Sequence, residues 1–240
     1  MQRRLAVILL FTGLLFALRD SSGAQALPGP VNASDLETHF LLIQGRVTVG
    51  KKNQPGTEFT AVKPGAPLQT GDEIRTGPAG EARLLLDGRS IIDLGPDSDL
   101  TLESLTFQQS ILHLEIGTLV AKIKRRLDTQ QMQFNTVDGV VLIRGTEFAI
   151  VRDVSDGPTR IGVFSEGHLD IRTSAGEIHM GPREETEILK GASSNPPARP
   201  MKYLLKLRQK MRSVRLQLFK IQGKSRIRKA QLLGAPPTSP

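Results

Sequence analysis

The side chains that most often carry catalysis or bind metals are few in this chain and lack the spacing such chemistry requires. Asp97 and Asp99 could offer two carboxylates to calcium, but the segment lacks the ligand spacing and final Glu of an EF-hand loop and indicates a polar turn. The four histidines form no His-x-His or His-x-x-x-His pair, and strand alternation favours surface positions for His113 and His168. The chain has no Cys, which excludes disulfides, Cys-ligated zinc and a cysteine nucleophile. The sequence therefore predicts no catalytic residue, no metal ligand and no cofactor.

The chain that must position any functional side chains has an acidic middle part and a basic C-terminal tail. Residues 27–189 hold 16 basic and 23 acidic residues, whereas residues 190–240 hold 13 Lys and Arg and no acidic residue. With no Trp and one Tyr, the chain offers little for stacking nucleic-acid bases, so no nucleic-acid partner is expected. A basic tail of this kind predicts interaction with an anionic partner.

The first 26 residues have the pattern of an export signal. Arg3 and Arg4 supply the positive start, residues 5–18 form an apolar run, and Ala24-Gln25-Ala26 fits the small-x-small cleavage site. The run is too short to cross a hydrocarbon core of about 30 Å as a helix. The sequence predicts a signal peptide over residues 1–26 and an exported protein that is periplasmic or extracellular. Association of this protein with a membrane is left open. An uncleaved membrane anchor is the alternative.

Residues 27–190 are dominated by period-two alternation, which is typical of β-strands. Short runs of this kind recur every eight to twelve residues and are separated by turn sequences. They include residues 110–116, 119–123, 140–144, 147–151 and 169–173. Asp87-Gly88, between two such runs, predicts a tight hairpin with a type I′ turn. The sequence predicts an all-β domain with many short strands, in a compact β-sandwich or a twisted β-solenoid.

The pattern changes after Leu189. Residues 191–200 form a Pro- and Ser-rich linker, and Pro200 suits the first turn of a helix. A basic amphipathic helix is predicted over residues 201–233, followed by a disordered tail at 234–240. Its apolar positions have heptad spacing and are Leu204, Leu207, Met211, Val214, Leu218 and Ile221. The residues expected to contact a partner are Lys202, Lys206, Arg208, Lys210, Arg212, Arg215 and Lys220.

Three stretches resemble the FecR domain of bacterial envelope proteins. The first begins with Gly71-Asp72-Glu73-Ile74-Arg75-Thr76-Gly77 and continues through the hairpin Leu86-Asp87-Gly88-Arg89-Ser90. The second, Arg144-Gly145-Thr146-Glu147-Phe148, is similar to the Arg-Gly-Thr-x-Phe core of that family, and the third contains its Glu166-Gly167 turn. The motif residues are interpreted as structural: Gly71, Asp72, Thr76, Asp87, Gly88, Arg144, Gly145, Thr146, Phe148, Glu166 and Gly167.

The resemblance implies a non-enzymatic role in the cell envelope. The best-known FecR proteins are transmembrane regulators of iron uptake, in which a cytoplasmic segment contacts a sigma factor. Here only about four residues precede the apolar run, so the cytoplasmic anti-sigma segment is not expected. A basic helix also follows the β-domain, where those regulators have a receptor-contacting domain.

Three functions are therefore distinguished. The leading hypothesis is an exported, non-enzymatic binding or signalling module whose tail docks on an envelope protein or an anionic membrane. The alternative is a regulator of a sigma-factor and iron-uptake pathway. The second alternative is an envelope polysaccharide hydrolase. It stays open only because a chain with this many acidic residues always allows some pair of carboxylates for glycoside cleavage, and the sequence singles out no such pair. The sequence leaves open the oligomeric state, and whether the tail packs on its own domain or on a membrane.

Overall fold

Seventeen β-strands and a C-terminal helical segment make up the computed structural model of the chain, which describes residues 36–52, 56–124, 130–153 and 157–232. The signal peptide and the disordered tail expected from the sequence lie outside the described residues. Across the described part of the chain, no helix combines the length and the apolar character that spanning a membrane requires.

The strands are short except for β9. In chain order they are β1 Thr38–Gln44, β2 Val47–Lys51, β3 Thr60–Ala61, β4 Pro67–Leu68, β5 Asp72–Thr76, β6 Glu81–Leu86, β7 Ser90–Leu94, β8 Asp99–Leu105, β9 Gln109–Lys122, β10 Gln131–Thr136, β11 Gly139–Ile143, β12 Glu147–Arg152, β13 Thr159–Val163, β14 Leu169–Thr173, β15 Gly176–Met180, β16 Glu184–Ile188 and β17 Arg199–Pro200. The 3₁₀ helix η1 (Tyr203–Leu207) leads into α1 (Arg208–Leu232).

The long strand β9 belongs to both layers of one continuous mixed sheet. Its first part pairs with β8 and β10, and its last part, from Gly117 to Lys122, pairs with β7 and β12. The outer layer has the order β3-β2-β5-β8-β9-β10-β11-β14-β15, and the helix-side layer has the order β4-β1-β6-β7-β9-β12-β13-β16-β17. Only the pairing of β9 with β10 is parallel among the described strands.

The main hydrophobic core lies between the two layers. Phe134 of β10 and Phe148 of β12 meet there edge to face, with ring centroids 5.2 Å apart. In the outer layer β10 alternates between buried and less buried residues, as a sheet with one solvated face does. In the helix-side layer every residue of β12 is buried, because the helical segment covers the second face.

The helical segment packs its heptad positions against the helix-side layer. Leu204, Met211, Val214 and Leu218 are almost completely buried, and Leu207 and Ile221 are partly buried beside them. Their neighbours on the sheet are Leu85, Ile91, Val120, Ala149, Val151 and Phe164. The apolar seam therefore faces the β-domain of the same chain.

The all-β prediction is confirmed, and the layered arrangement around one core is that of a sandwich. The Asp87-Gly88 hairpin is also confirmed, because both residues have positive φ angles, 55° and 59°, and Leu86 pairs with Ser90. Two details differ from the expectation. Pro200 lies in β17 opposite Glu184 rather than in the first helical turn, and the segments 110–116 and 119–123 belong to one strand rather than two.

Candidate functional site

The second and third FecR-like stretches meet at one end of the helix-side layer, where β12 begins. Gly145 and Thr146 lie against the turn at Gly167, and the Thr146 hydroxyl donates a hydrogen bond to the carbonyl of His168 at 2.8 Å. The backbone N–H of Glu147 donates to the carbonyl of Glu166 at 3.1 Å. A Cβ atom on Gly167 would lie 2.4 Å from the Gly145 carbonyl oxygen, so only glycine fits this approach.

Gly145 itself has φ 126°, a conformation that L-amino acids with a side chain rarely adopt. Gly145→Val is therefore expected to lower the free energy of unfolding by about 2 kcal/mol, more than an ordinary strand substitution. The measurement is urea unfolding followed by circular dichroism. Gly181→Val is the control, because Gly181 lies outside the positive-φ region and its Cβ would make only ordinary contacts. Equal losses in the two variants would contradict the backbone explanation.

Glu147 is the electrostatic centre of this junction. Its carboxylate is 1% exposed and accepts hydrogen bonds from Lys122 Nζ at 2.7 Å, from Ser165 Oγ at 3.1 Å, and from two nitrogens of Arg215 on α1. Burial alone would raise the pKa of Glu147, but the hydrogen bonds from Arg215 and Lys122 outweigh it and leave that pKa lowered. One buried carboxylate therefore joins the FecR-like motif to the helix.

A pocket of about 550 Å³ opens beside Glu147, between the motif and α1. The motif side contributes Gly145, Thr146 and Glu166, and the helix contributes Leu216 and Phe219. The remaining lining residues are Lys122, Ile123, Lys124, Glu147, Arg215, Leu218 and Gln222. The pocket combines apolar side chains with charged groups, which suits recognition of another molecule.

A second set of ion pairs holds the helix farther along the sheet. Lys210 Nζ lies 3.0 Å from Glu81 Oε1 and 2.9 Å from Asp93 Oδ1. Asp93 is also paired with Arg83, and both side chains are nearly buried. Arg83 in turn donates hydrogen bonds to Ser213 and Gln217 of α1. Charge and apolar contacts thus fix the same side of the helix.

The tail residues expected to contact a partner divide into three groups according to their contacts. Lys210 and Arg215 are paired with carboxylates of their own β-domain, and their contact with an external partner stays a prediction. Lys206 packs on the ring of Tyr203 and donates to its hydroxyl at 2.9 Å. The other four are exposed and form no ion pair with the described residues; they are Lys202, Arg208, Arg212 and Lys220.

Residues of the first FecR-like stretch support the sheets and do not line the pocket. Asp72 accepts a hydrogen bond from the Gln69 N–H at 2.7 Å and pairs with Lys51 at 2.6 Å. The Thr76 hydroxyl donates to the Gly95 carbonyl at 2.7 Å and accepts from the Ser98 N–H at 2.8 Å. Gly71 has a positive φ of 85°. In the second stretch, Phe148 is in the core and Arg144 is exposed.

The helix anchors were not identified from the sequence. Glu147 occupies the variable position of the motif and was not singled out, and neither were Lys122, Asp93 or Glu81. The available signal was an acidic residue opening a strand that is otherwise apolar, Phe148 to Val151. Such a residue needs a cation when both faces of its strand are covered.

A separate acidic cluster lies at the start of β8. Arg75 Nε donates to Glu73 at 2.8 Å and to Asp99 at 3.2 Å, so the two carboxylates lie close to one guanidinium. Burial, and then repulsion from Glu73, raises the pKa of Asp99 to about 6 despite the nearby Arg75. Among the described residues, no group of three or more His, Cys, Asp or Glu side chains could hold a metal ion.

The raised pKa predicts a pH-dependent stability. The folded state binds the Asp99 proton more tightly than the unfolded state, so stability falls as pH rises from about 4 to about 6. Asp99→Asn should therefore raise the urea midpoint at pH 7.5 and leave it little changed at pH 4. Asp87→Asn, in an exposed turn, is the control. A lower midpoint for Asp99→Asn at pH 7.5 would contradict the assignment.

One family model matches part of the chain. The family model described as FecR protein matches residues 72–168, which include most of the first stretch, all of the second, and Glu166 and Gly167. No curated protein matches the chain.

Two solved structures are similar to part of the chain. They are crystal structures, at 1.65 and 2.50 Å resolution, of a candidate anti-sigma factor from Parabacteroides distasonis ATCC 8503. The TM-scores are 0.49 and 0.48 and the sequence identity is 12% in both cases. Each match covers 55% of this chain and 61% of the other, so the chain spans about three fifths of that protein.

Proposed function

We propose that this chain, whose residues 72–168 form a FecR domain, is a non-enzymatic interaction module in a sigma-factor signalling pathway. The FecR match favours this role over that of an independent binding protein, because regulation of sigma factors is the role that the family resemblance implies. The proposed activity is binding of a partner protein, with no covalent step.

The observation that carries the proposal is the pocket of about 550 Å³ at the junction of the FecR domain and α1. Both of its walls are held in place by one carboxylate, since Glu147 bonds to Lys122 on the sheet and to Arg215 on the helix. Lys124 is exposed at the rim, where it can meet a carboxylate of a partner. The charged groups inside the pocket already satisfy each other, which favours a structural role for them over proton transfer.

The compartment is part of the same proposal. The charged start, the apolar run and the Ala24-Gln25-Ala26 site support export and cleavage after Ala26. The intact mass of protein recovered from the periplasm should then correspond to residues 27–240. Recovery of the uncleaved chain in the inner membrane would instead support an anchor.

The test uses a charge reversal at the pocket rim in cells that lack the chromosomal gene. Deleting the gene should change the transcripts that depend on one sigma factor, and wild-type protein should restore them. Lys124→Glu should fail to restore them, whereas Lys63→Glu, an exposed lysine that does not line the pocket, should restore them fully. Unchanged sigma-dependent transcripts after deletion, or full restoration by Lys124→Glu at equal protein levels, would overturn the proposal.

A further inference from the structure

The side of α1 that is not packed against the sheet carries its own apolar and basic stripe, and two of its residues, Leu216 and Phe219, also line the pocket beside Glu147. Arg208, Arg212, Leu216 and Phe219 follow one another at spacings of 4, 4 and 3 residues, so they share one side of the helix. Leu216 is 57% exposed and Phe219 is 76% exposed. Exposure of a phenylalanine to this degree, next to a second large apolar residue, indicates a surface that is covered by something else.

The same face keeps its positive charge. Arg208, Arg212 and Lys220 are exposed and form no ion pair with the described residues, and residues 190–232 contain no Asp or Glu. The two helix cations that do pair with carboxylates, Lys210 and Arg215, reach toward the β-domain. Docking of the seam on the sheet therefore leaves an outward surface that is apolar at its centre and cationic at its edges.

We propose that this outward face docks the protein on an anionic lipid surface. The apolar side chains of an interfacial helix enter the boundary between headgroups and acyl chains, while Lys and Arg remain at the level of the phosphates. Leu216 and Phe219 with three flanking cations match that arrangement. The inference does not rest on the role in sigma-factor signalling proposed above, but it assigns Leu216 and Phe219, which form the helix wall of the pocket, to lipid rather than to the partner protein.

The size of the apolar stripe favours lipid over a protein partner. A stable protein interface buries roughly 1,200–2,000 Å² around a closely packed apolar centre. Two neighbouring apolar side chains on a convex helix face form too small a centre for that, but reversible membrane binding needs only a few inserted side chains and nearby cations.

The absence of tryptophan from the chain permits a local test. Phe219→Trp places a single fluorescent reporter at the centre of the face, and its emission is followed as vesicles are added to the full chain. We expect the emission to shift to shorter wavelength with vesicles of phosphatidylglycerol and phosphatidylcholine, and brominated lipid to quench it. Vesicles of phosphatidylcholine alone should have little effect. Because the reporter is local, the N-terminal apolar run does not contribute to the signal.

Two further variants define the surface. Phe107→Trp places the same reporter at another exposed phenylalanine, 46% exposed between β8 and β9, and its emission should not shift. Adding Arg212→Glu and Lys220→Glu to the Phe219→Trp chain should weaken vesicle binding at least about tenfold. The proposal is overturned if the emission of the Phe219→Trp chain does not shift on anionic vesicles, or if it shifts equally on neutral vesicles. It is also overturned if the charge reversals leave the shift on anionic vesicles unchanged. Binding of an acidic protein to this face without any lipid effect would likewise overturn it.

Discussion

Replacing Glu147 with alanine is expected to lower the free energy of unfolding by about 3 kcal/mol, because it leaves Lys122 and Arg215 without their common partner. This loss lies at the low end of the range for breaking a buried ion pair, because the side chains of Lys122 and Arg215 are 23% and 39% exposed and retain some contact with water. Urea unfolding at pH 7.5, followed by circular dichroism, measures the loss.

Glu166→Ala is the matched control, because it removes a carboxylate that pairs with the same lysine at 3.0 Å but is 66% exposed. Its cost should stay below about 1 kcal/mol, as for an ordinary surface pair. The lowered pKa of Glu147 adds a pH dependence: its contribution is complete above the ordinary pKa of a glutamate and is lost as pH falls through the lowered value. Equal losses for the two variants would show that Glu147 does not hold the helix.

Val214→Asp is expected to have the largest effect on the helix, about 4 kcal/mol, because it places a carboxylate in the apolar contact between α1 and the sheet. Val214 is fully buried, and its cluster includes Val120, Ala149 and Leu218. The ionised side chain can reach water only if the helix leaves the sheet. Hydrogen exchange of residues 208–221 should therefore lose its protection in this variant.

The control for Val214→Asp is the same change two residues later. Leu216 is 57% exposed, so Leu216→Asp should alter the free energy of unfolding by no more than about 0.5 kcal/mol. Which variant loses more free energy of unfolding decides which face of the helix packs on the sheet. A larger loss for Leu216→Asp than for Val214→Asp would mean that the helix presents its other face to the sheet.

The features that the sequence predicted correctly are those with local signals. The hairpin at Asp87-Gly88 follows from two residues that tolerate positive φ, and the seam from Leu204 to Ile221 follows from its spacing. The runs predicted at 140–144 and 147–151 also agree with β11 and β12 to within one residue at each end. These patterns depend on neighbours in the chain, so no knowledge of the tertiary structure was needed.

The features that the sequence did not predict depend on distant parts of the chain. The sequence indicated two strands, 110–116 and 119–123, but β9 continues through Gly117 at a φ of 111° and changes layers there. The parallel pairing of β9 with β10 has no local signal. The sequence showed an amphipathic tail, but not that Lys210 and Arg215 would meet Glu81 and Glu147 across more than sixty residues of chain. Packing of the helix on the sheet also explains why β7 and β12 do not alternate between buried and exposed residues.

The most direct test of the account is the chemical accessibility of the two faces of α1. The chain has no Cys, so single-cysteine variants at Met211 and Phe219 report on the buried seam and on the outward face separately. Met211 is 1% exposed and Phe219 is 76% exposed. Under native conditions we expect a maleimide reagent to modify Phe219→Cys quickly and Met211→Cys at least about a hundredfold more slowly, with equal rates in 8 M urea. Equal rates under native conditions, or faster modification of Met211→Cys, would contradict the docked helix on which the account depends.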